Sequence, residues 1–368
     1  MRKERINKLQ NLLKQDKLDA LALIAGTNIS YFCDLDFHLS ERPVILLISR
    51  QSQSILFHPA LESNKVKKSA IPLKSIPYGE NPKSWPETLK TISKYIDIEI
   101  MKIGVIPTSM RFLELQLLQE TFKRAKIIPA TDILSKLCII KDKSEIESIR
   151  NAVKIAETAI KNLLPFITIG RSEREIAAEL VVQLLHAGSE PNLPFMPIVA
   201  SGPNSADPHA LPSGRKLKNG DLIIIDWGAR YQGYISDITR TFAIGKIENK
   251  LTHIANIVKD ANKAARDKIK PGISTSEIDF AARNFITQKG YGNYFIHRTG
   301  HGIGLETHES PYISQSNKQI LKPRMAFTIE PGIYIAGEGG VRIEDDVVVT
   351  EESVETITRL PRQLHLLK

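Results

Sequence analysis

The sequence predicts an α+β protein in two parts: a smaller N-terminal α/β domain and a larger C-terminal domain of helices on an antiparallel sheet. Three observations predict it. Over the first third, apolar strand-like runs alternate with helix-like stretches. Near residue 141 the pattern changes to long, capped helical segments. Two strand–turn–strand segments, 221–245 and 327–350, each set one pair of acidic residues equidistant from the turn. The boundary falls between 134 and 142, which gives domains of 1–135 and 136–368. A chain of 368 residues has room for both cores.

The chain opens on "MRKERINKLQNLLKQDKLDALALIAG", in which Leu9, Leu12 and Leu13 fit one face of an amphipathic helix. Lysine and aspartate interrupt its apolar positions, so it lacks the unbroken core and cleavage site of a signal peptide. "ALALIAG" (20–26), "PVILLIS" (43–49), "SILFHP" (54–59) and "MKIGVIP" (101–107) read as strands, with a helix over 110–125. Asp34, Asp36, His38 and Glu41 read as a loop rather than a ligand set. Beyond the boundary, Ser144 and Glu147 form a capping-box pattern ahead of a periodic run. Ser172 and Glu175 repeat it before a helix over 172–188. Further helices are expected over 253–269, stopped by Pro271-Gly272, and over 275–290, closed by Gly290.

Composition excludes several classes. With 42% hydrophobic and 25% charged residues the chain reads as an ordinary soluble protein. No apolar run approaches the roughly 20 residues of a membrane span, so no membrane partner is expected and a cytoplasmic location is. Cys33 and Cys138 lie far apart and beside no other soft ligand, which suits unpaired thiols in a reducing compartment. The net charge of +9 is scattered, densest at 64–69 and 214–220, without the interleaved aromatics of a single-strand binding surface. No nucleic-acid partner is expected.

The chemistry concentrates in the two hairpins. In "DLIIIDWGARYQGYISDITRTFAIG", Asp226 and Asp237 are equidistant from a turn centred between Tyr231 and Gln232. That register would set the two carboxylates opposite each other on one face, beside three isoleucines. Two like charges in apolar surroundings call for a cation; the alternative is a pair of solvated aspartates on an exposed hairpin. In "FTIEPGIYIAGEGGVRIEDDVVVT", Glu330 and Glu344 are equidistant from Gly337, and Pro331 implies an edge or bulge. Four carboxylates suit hard or borderline ions such as Mn²⁺, Co²⁺ or Zn²⁺, and their charge balances two ions rather than one. "HRTGHGIGLETHE" (297–309) holds three of the nine histidines. The four-residue step from His297 to His301 mimics a helical metal pair, but Gly300, Gly302 and Gly304 each disfavour a helix by roughly 1 kcal/mol.

With these motifs and "NSADPHA" (204–210) in view, the chain resembles the aminopeptidase P and prolidase group of dinuclear metallopeptidases with the pita-bread fold. The resemblance covers roughly residues 140–360, and "GTNISYFCDLDF" (26–37) resembles a motif of the group's creatinase-like N-terminal domain. It implies that Asp226 chelates one ion, that His301 and Glu330 hold the other, and that Asp237 and Glu344 bridge them. It makes His209, His297 and His308 substrate-site residues, Glu330 a proton shuttle and Arg342 a supporting arginine. Asp207 departs from the group's usual apolar residue. The implied cofactor is a pair of divalent ions, Mn²⁺ first, with Co²⁺ or Zn²⁺ as alternatives. The implied activity is an Xaa-Pro aminopeptidase acting on proline-containing peptides, in a homodimer. The alternatives are an Xaa-Pro dipeptidase (prolidase) and a non-catalytic binding protein on the same fold.

Overall fold

The computed structural model describes residues 2–367. The chain divides between Cys138 and Ile139 into two compact units, each with its own apolar core. The N-terminal unit opens with the helix Arg2–Gln15, which buries Leu9 and Leu13 and leaves Leu12 half-buried. Its sheet contains β1 (Ala20–Ile24), β2 (Ile45–Ser49), β3 (Ser54–Pro59), β4 (Leu73–Tyr78), β5 (Lys102–Val105) and β6 (Lys126–Pro129). They lie in the order β4-β3-β2-β1-β5-β6, with parallel and antiparallel neighbours mixed. β1, β2 and β3 are buried along their length, which is why they read as unbroken apolar runs. The two strands without a clear sequence signal, β4 and β6, are the sheet's edges. β4 contains Pro77 and β6 starts on exposed Lys126, residues that edge strands tolerate. The helix expected over 110–125 is shorter, Phe112–Thr121. Asp34 ends the helix Thr27–Cys33 in a left-handed conformation (φ 60°). Neither Cys33 nor Cys138 is in a disulfide.

The second unit begins with the helix Lys143–Leu163. Its cap is not the expected Ser144–Glu147 pair. Asp142 accepts from the backbone N–H groups of Ser144 and Glu145 (both 2.9 Å), and Glu145 reaches back to the Asp142 N–H (2.7 Å). Asp142 reaches these donors two residues earlier than Ser144 could, so the helix starts there. The next helix, Glu173–His186, has the expected Ser172–Glu175 box. The third, Asn249–Lys268, starts ahead of the expected residue 253, and the fourth, Thr275–Gln288, follows the cap Ser274.

These helices cover a set of antiparallel hairpins. The strands are β7 (Ile198–Ser201), β8 (Leu222–Trp227), β9 (Arg230–Tyr231), β10 (Tyr234–Ile235), β11 (Ile238–Ile244), β12 (Gly300–Gly302) and β13 (Glu309–Ile313). After them come β14 (Ala326–Ile329), β15 (Gly332–Ile335), β16 (Gly339–Arg342), β17 (Asp345–Val349), β18 (Val354–Thr356) and β19 (His365–Leu367). One sheet runs β19-β11-β8-β7 and another β13-β12-β14-β17-β18; β9 pairs β10 and β15 pairs β16. The first two helices share an apolar cluster with β8 and β11, represented by Val153, Leu180, Ile225 and Ile238. The last two share another with β14 to β17, represented by Val258, Ile278, Phe327 and Val347.

Candidate metal centre

The first acidic hairpin differs from its expected register. Gln232 (φ 49°) and Gly233 (φ 79°) form its two-residue turn, and Tyr231 pairs with Tyr234. Left-handed conformations at both central residues match a type I′ turn, which favours glycine second. The turn is therefore centred one residue later than the spacing suggested. Asp226 faces Thr239, and Asp237 lies just ahead of β11. A two-residue shift keeps side-chain parity, so both aspartates still reach one cavity. The second hairpin has the register read from the sequence. Ala326 pairs with Val348 and Ile335 with Gly339, ladders that share a centre at Gly337. The two ladders are interrupted between Ile329 and Gly332 and between Arg342 and Asp345. Glu330 and Glu344 stand opposite each other in that gap, where Pro331 has no N–H to give.

"HRTGHGIGLETHE" is not helical. His301 is the central residue of β12, buried between β13 and β14. The glycines beside it serve close packing: a Cβ on Gly300 would meet the Thr328 carbonyl oxygen at 1.9 Å, and one on Gly302 the Ser310 oxygen at 2.2 Å.

Asp237, His301 and Glu344 form a buried group able to hold a metal ion, with ligand atoms within 4.8 Å of one another. His301 Nδ1 lies 3.2 Å from the Gly302 carbonyl oxygen, so Nδ1 carries the proton and Nε2 presents a lone pair. That lone pair faces Asp237 Oδ2 at 3.6 Å and Glu330 Oε1 at 3.4 Å. Burial, then the neighbouring His308, pushes His301 down to about 3, so the ring is neutral. A lone pair aimed at carboxylate oxygens needs a proton or a cation between them. The carboxylates give the same result. Burial, then Glu344 and Asp226, raises Asp237 well above the usual range; burial, then Glu330 and Asp226, does so for Glu344. Burial pushes Glu330 up to about 7 despite the nearby Arg342. Asp226 Oδ2 accepts from Arg342 at 2.6 Å, while its Oδ1 is buried with no partner. The donor set fits divalent cations.

The other expected residues line the same cavity of about 530 Å³. His297 is fully engaged: Nδ1 lies 2.7 Å from the Arg298 carbonyl oxygen and Nε2 2.9 Å from the Tyr334 hydroxyl. Arg342 donates to that hydroxyl (3.0 Å) and to Thr239 Oγ1 (3.0 Å), and Thr239 donates to Glu344 (2.7 Å). Burial, then the Arg298 carbonyl opposing it, leaves His297 at about 4, a neutral ring. His308 is exposed and sets its ring edge-on to His301, 4.4 Å between centroids. His209 is exposed at the wall, and Asp207 accepts from its backbone N–H (3.0 Å), fixing the local turn. Thr239, Tyr334 and Arg298 went unread in the sequence. Thr239 and Tyr334 stand an even number of residues from Asp237 and Glu330, a same-face signal that could have found them.

A buried cluster of carboxylates and a histidine that lines a cleft with apolar walls suits a metal-dependent hydrolase. Comparison with known proteins agrees. Residues 147–351 match metallopeptidase family M24 and residues 5–140 the creatinase/prolidase N-terminal domain. The chain belongs to this family of metallopeptidases, and its pita-bread fold is the one read from the sequence. It is 38% identical to an Xaa-Pro dipeptidase of Pyrococcus furiosus, covering 98% of this chain and 99% of that one. The prolidase of Thermococcus sibiricus superposes with TM-score 0.94 at 33% identity, covering 100% of this chain and 99% of that one. The X-Pro aminopeptidase of Thermotoga maritima does so with TM-score 0.86 at 33% identity, over 98% and 99%.

Proposed function

We propose that this chain is an Xaa-Pro dipeptidase that holds two divalent ions, Mn²⁺ in the first instance. The aminopeptidase reading ranks second, because the similar proteins named for dipeptides or prolidase activity include those of higher identity. The observation that carries the proposal is the neutral His301 facing mutually repelling, buried carboxylates. Asp226, Asp237, His301, Glu330 and Glu344 hold the ions. When bound, such ions supply Lewis acidity to the scissile carbonyl and make water a nucleophile at neutral pH.

The protein's own groups do the rest. Glu330, in the cavity wall beside His301, carries a proton from the attacking water to the leaving proline nitrogen. The exposed, neutral His308 donates a hydrogen bond to the oxygen that gains charge, a contact typically worth about 3 kcal/mol. His297 acts as a locked wall and hydrogen-bond relay, since both ring nitrogens are already engaged. Phe195 and Met196 supply apolar wall for the substrate side chain, and His209 lines the same cavity. Arg298 lines the cavity with its guanidinium stacked on Tyr312 (4.6 Å), a cation suited to the free carboxylate of a dipeptide.

Comparing Xaa-Pro with Xaa-Pro-Xaa peptides in Mn²⁺ tests this. Dipeptides are expected to be preferred, and Arg298→Met to raise KM for the dipeptide about 10-fold or more while sparing Xaa-Pro-amide. Preference for longer peptides would restore the aminopeptidase reading; hydrolysis of neither would remove both in favour of a binding protein. The chain acts as a homodimer, as its family resemblance implies, and a monomer in sedimentation at assay concentration would overturn that.

A further inference from the structure

Every strand break leaves backbone groups that need partners. At the gap in the second hairpin the N–H groups are served by neighbouring segments: Glu330 donates to the Thr299 oxygen (2.8 Å) and Glu344 to the Thr239 oxygen (3.0 Å). The carbonyls just before them, of Ile329 and Ile343, turn the other way, and one side chain meets both. Asn262, in the helix Asn249–Lys268 and fully buried, donates from Nδ2 to the Ile329 oxygen at 3.0 Å and to the Ile343 oxygen at 3.3 Å. Its Oδ1 accepts from Arg266 Nε at 2.7 Å, one helical turn on. Carbonyls only accept and a guanidinium only donates, so the three partners allow a single orientation of the amide.

We propose that Asn262 is a positioning residue for the metal centre. By clamping the carbonyls that precede Glu330 and Glu344, it splits the hairpin at that point and sets both carboxylates at the spacing a pair of ions needs. Arg266 holds the clamp in its donating orientation. A buried amide is a costly filler for a helix–sheet contact when an apolar residue would serve. This inference rests on the reading of Glu330 and Glu344 as metal ligands.

The test titrates metal-stripped full-length protein with Mn²⁺, reading affinity by calorimetry and ion–ion coupling by electron paramagnetic resonance. Asn262→Ala is expected to weaken Mn²⁺ binding ~10–100-fold, the usual effect of removing a group that orients a ligand. The coupled signal should give way to that of isolated ions, and kcat for an Xaa-Pro dipeptide should fall with KM little changed. Asn262→Ser, a smaller perturbation, carries the same readout if the alanine variant does not fold. Ile286→Ala, a buried site on the helix packed alongside, should lower stability without moving Mn²⁺ affinity more than about 2-fold. Wild-type affinity and coupling in Asn262→Ala would overturn the proposal, as would equal loss in Ile286→Ala. Failure of both Asn262 variants to fold would also overturn it, leaving only a structural peg. A wild-type chain that binds no Mn²⁺ would instead refute the metal reading itself.

Discussion

His297 depends on a single proton. Its Nδ1–H is tied to the Arg298 carbonyl, so Nε2 must accept from Tyr334, whose oxygen is held by Arg342. Tyr334→Phe removes the middle of that relay. It should lower kcat about 10-fold or more with KM nearly unchanged, while costing only about 1 kcal/mol in urea unfolding. An unchanged kcat would show the relay to be ornamental. The buried carboxylates make a second prediction. Their folded-state pKa values lie above the unfolded ones, with Glu330 at about 7, so these carboxyls bind more protons in the folded metal-free protein than in the unfolded chain. Their favourable contribution is complete below the unfolded pKa and is lost as pH rises through the folded one. Metal-stripped protein should therefore melt higher at pH 7 than at pH 8.5, a window above the ordinary histidine range in which the neutral His297 and His301 contribute little change, and Mn²⁺-loaded protein should reverse the order, because protons compete with the ions. The same trend in both forms would contradict the account. The titrating residues were legible because acids beside isoleucines demand compensation. Tyr334, Thr239 and Asn262 were not, because their roles exist only once strand register and helix placement bring their partners within reach.

Hairpin centres decide which residues share the cavity. Gly337 sits in a tight loop with open space around it, and the spacing alone located it. In the other hairpin the Tyr-Gln-Gly sequence offered two centres, and the left-handed demand at the second turn residue selected Gly233. The slip altered partners without altering faces, which is why both aspartates still converge. Strand packing around His301 makes a sharper test. Gly300→Ala would drive a Cβ into a backbone oxygen, whereas Gly337→Ala meets only the strain of φ 80°. Urea unfolding should show a loss of about 3 kcal/mol for the first and about 1 kcal/mol for the second. Equal losses would mean that β12 moves freely against β14. The edge strands β4 and β6 stayed illegible because half-exposed strands lack the apolar runs by which β1 to β3 declared themselves.

The whole chain carries +9 with its basic residues scattered along the sequence, and among the described residues no helix is long and apolar enough to cross a membrane. Fluorescence anisotropy with single-stranded DNA or RNA at physiological salt should show nothing tighter than non-specific binding, about 10⁻⁴–10⁻⁶ M. Tight, steeply salt-dependent binding would return nucleic acid to consideration. The fold class was readable because its two kinds of layer leave different marks: apolar runs for strands buried on both faces, and acidic hairpins beside capped helices. On the proposed function, five residues, Asp226, Asp237, His301, Glu330 and Glu344, convert an electrostatically frustrated pocket into a peptidase by taking up two ions. Hydrolysis of an Xaa-Pro dipeptide by the metal-stripped chain, followed as Mn²⁺ is added, tests it most directly. Activity should be absent at the start and saturate at about two ions per chain. Full activity in the stripped protein, or none at any Mn²⁺ level, would contradict the claim.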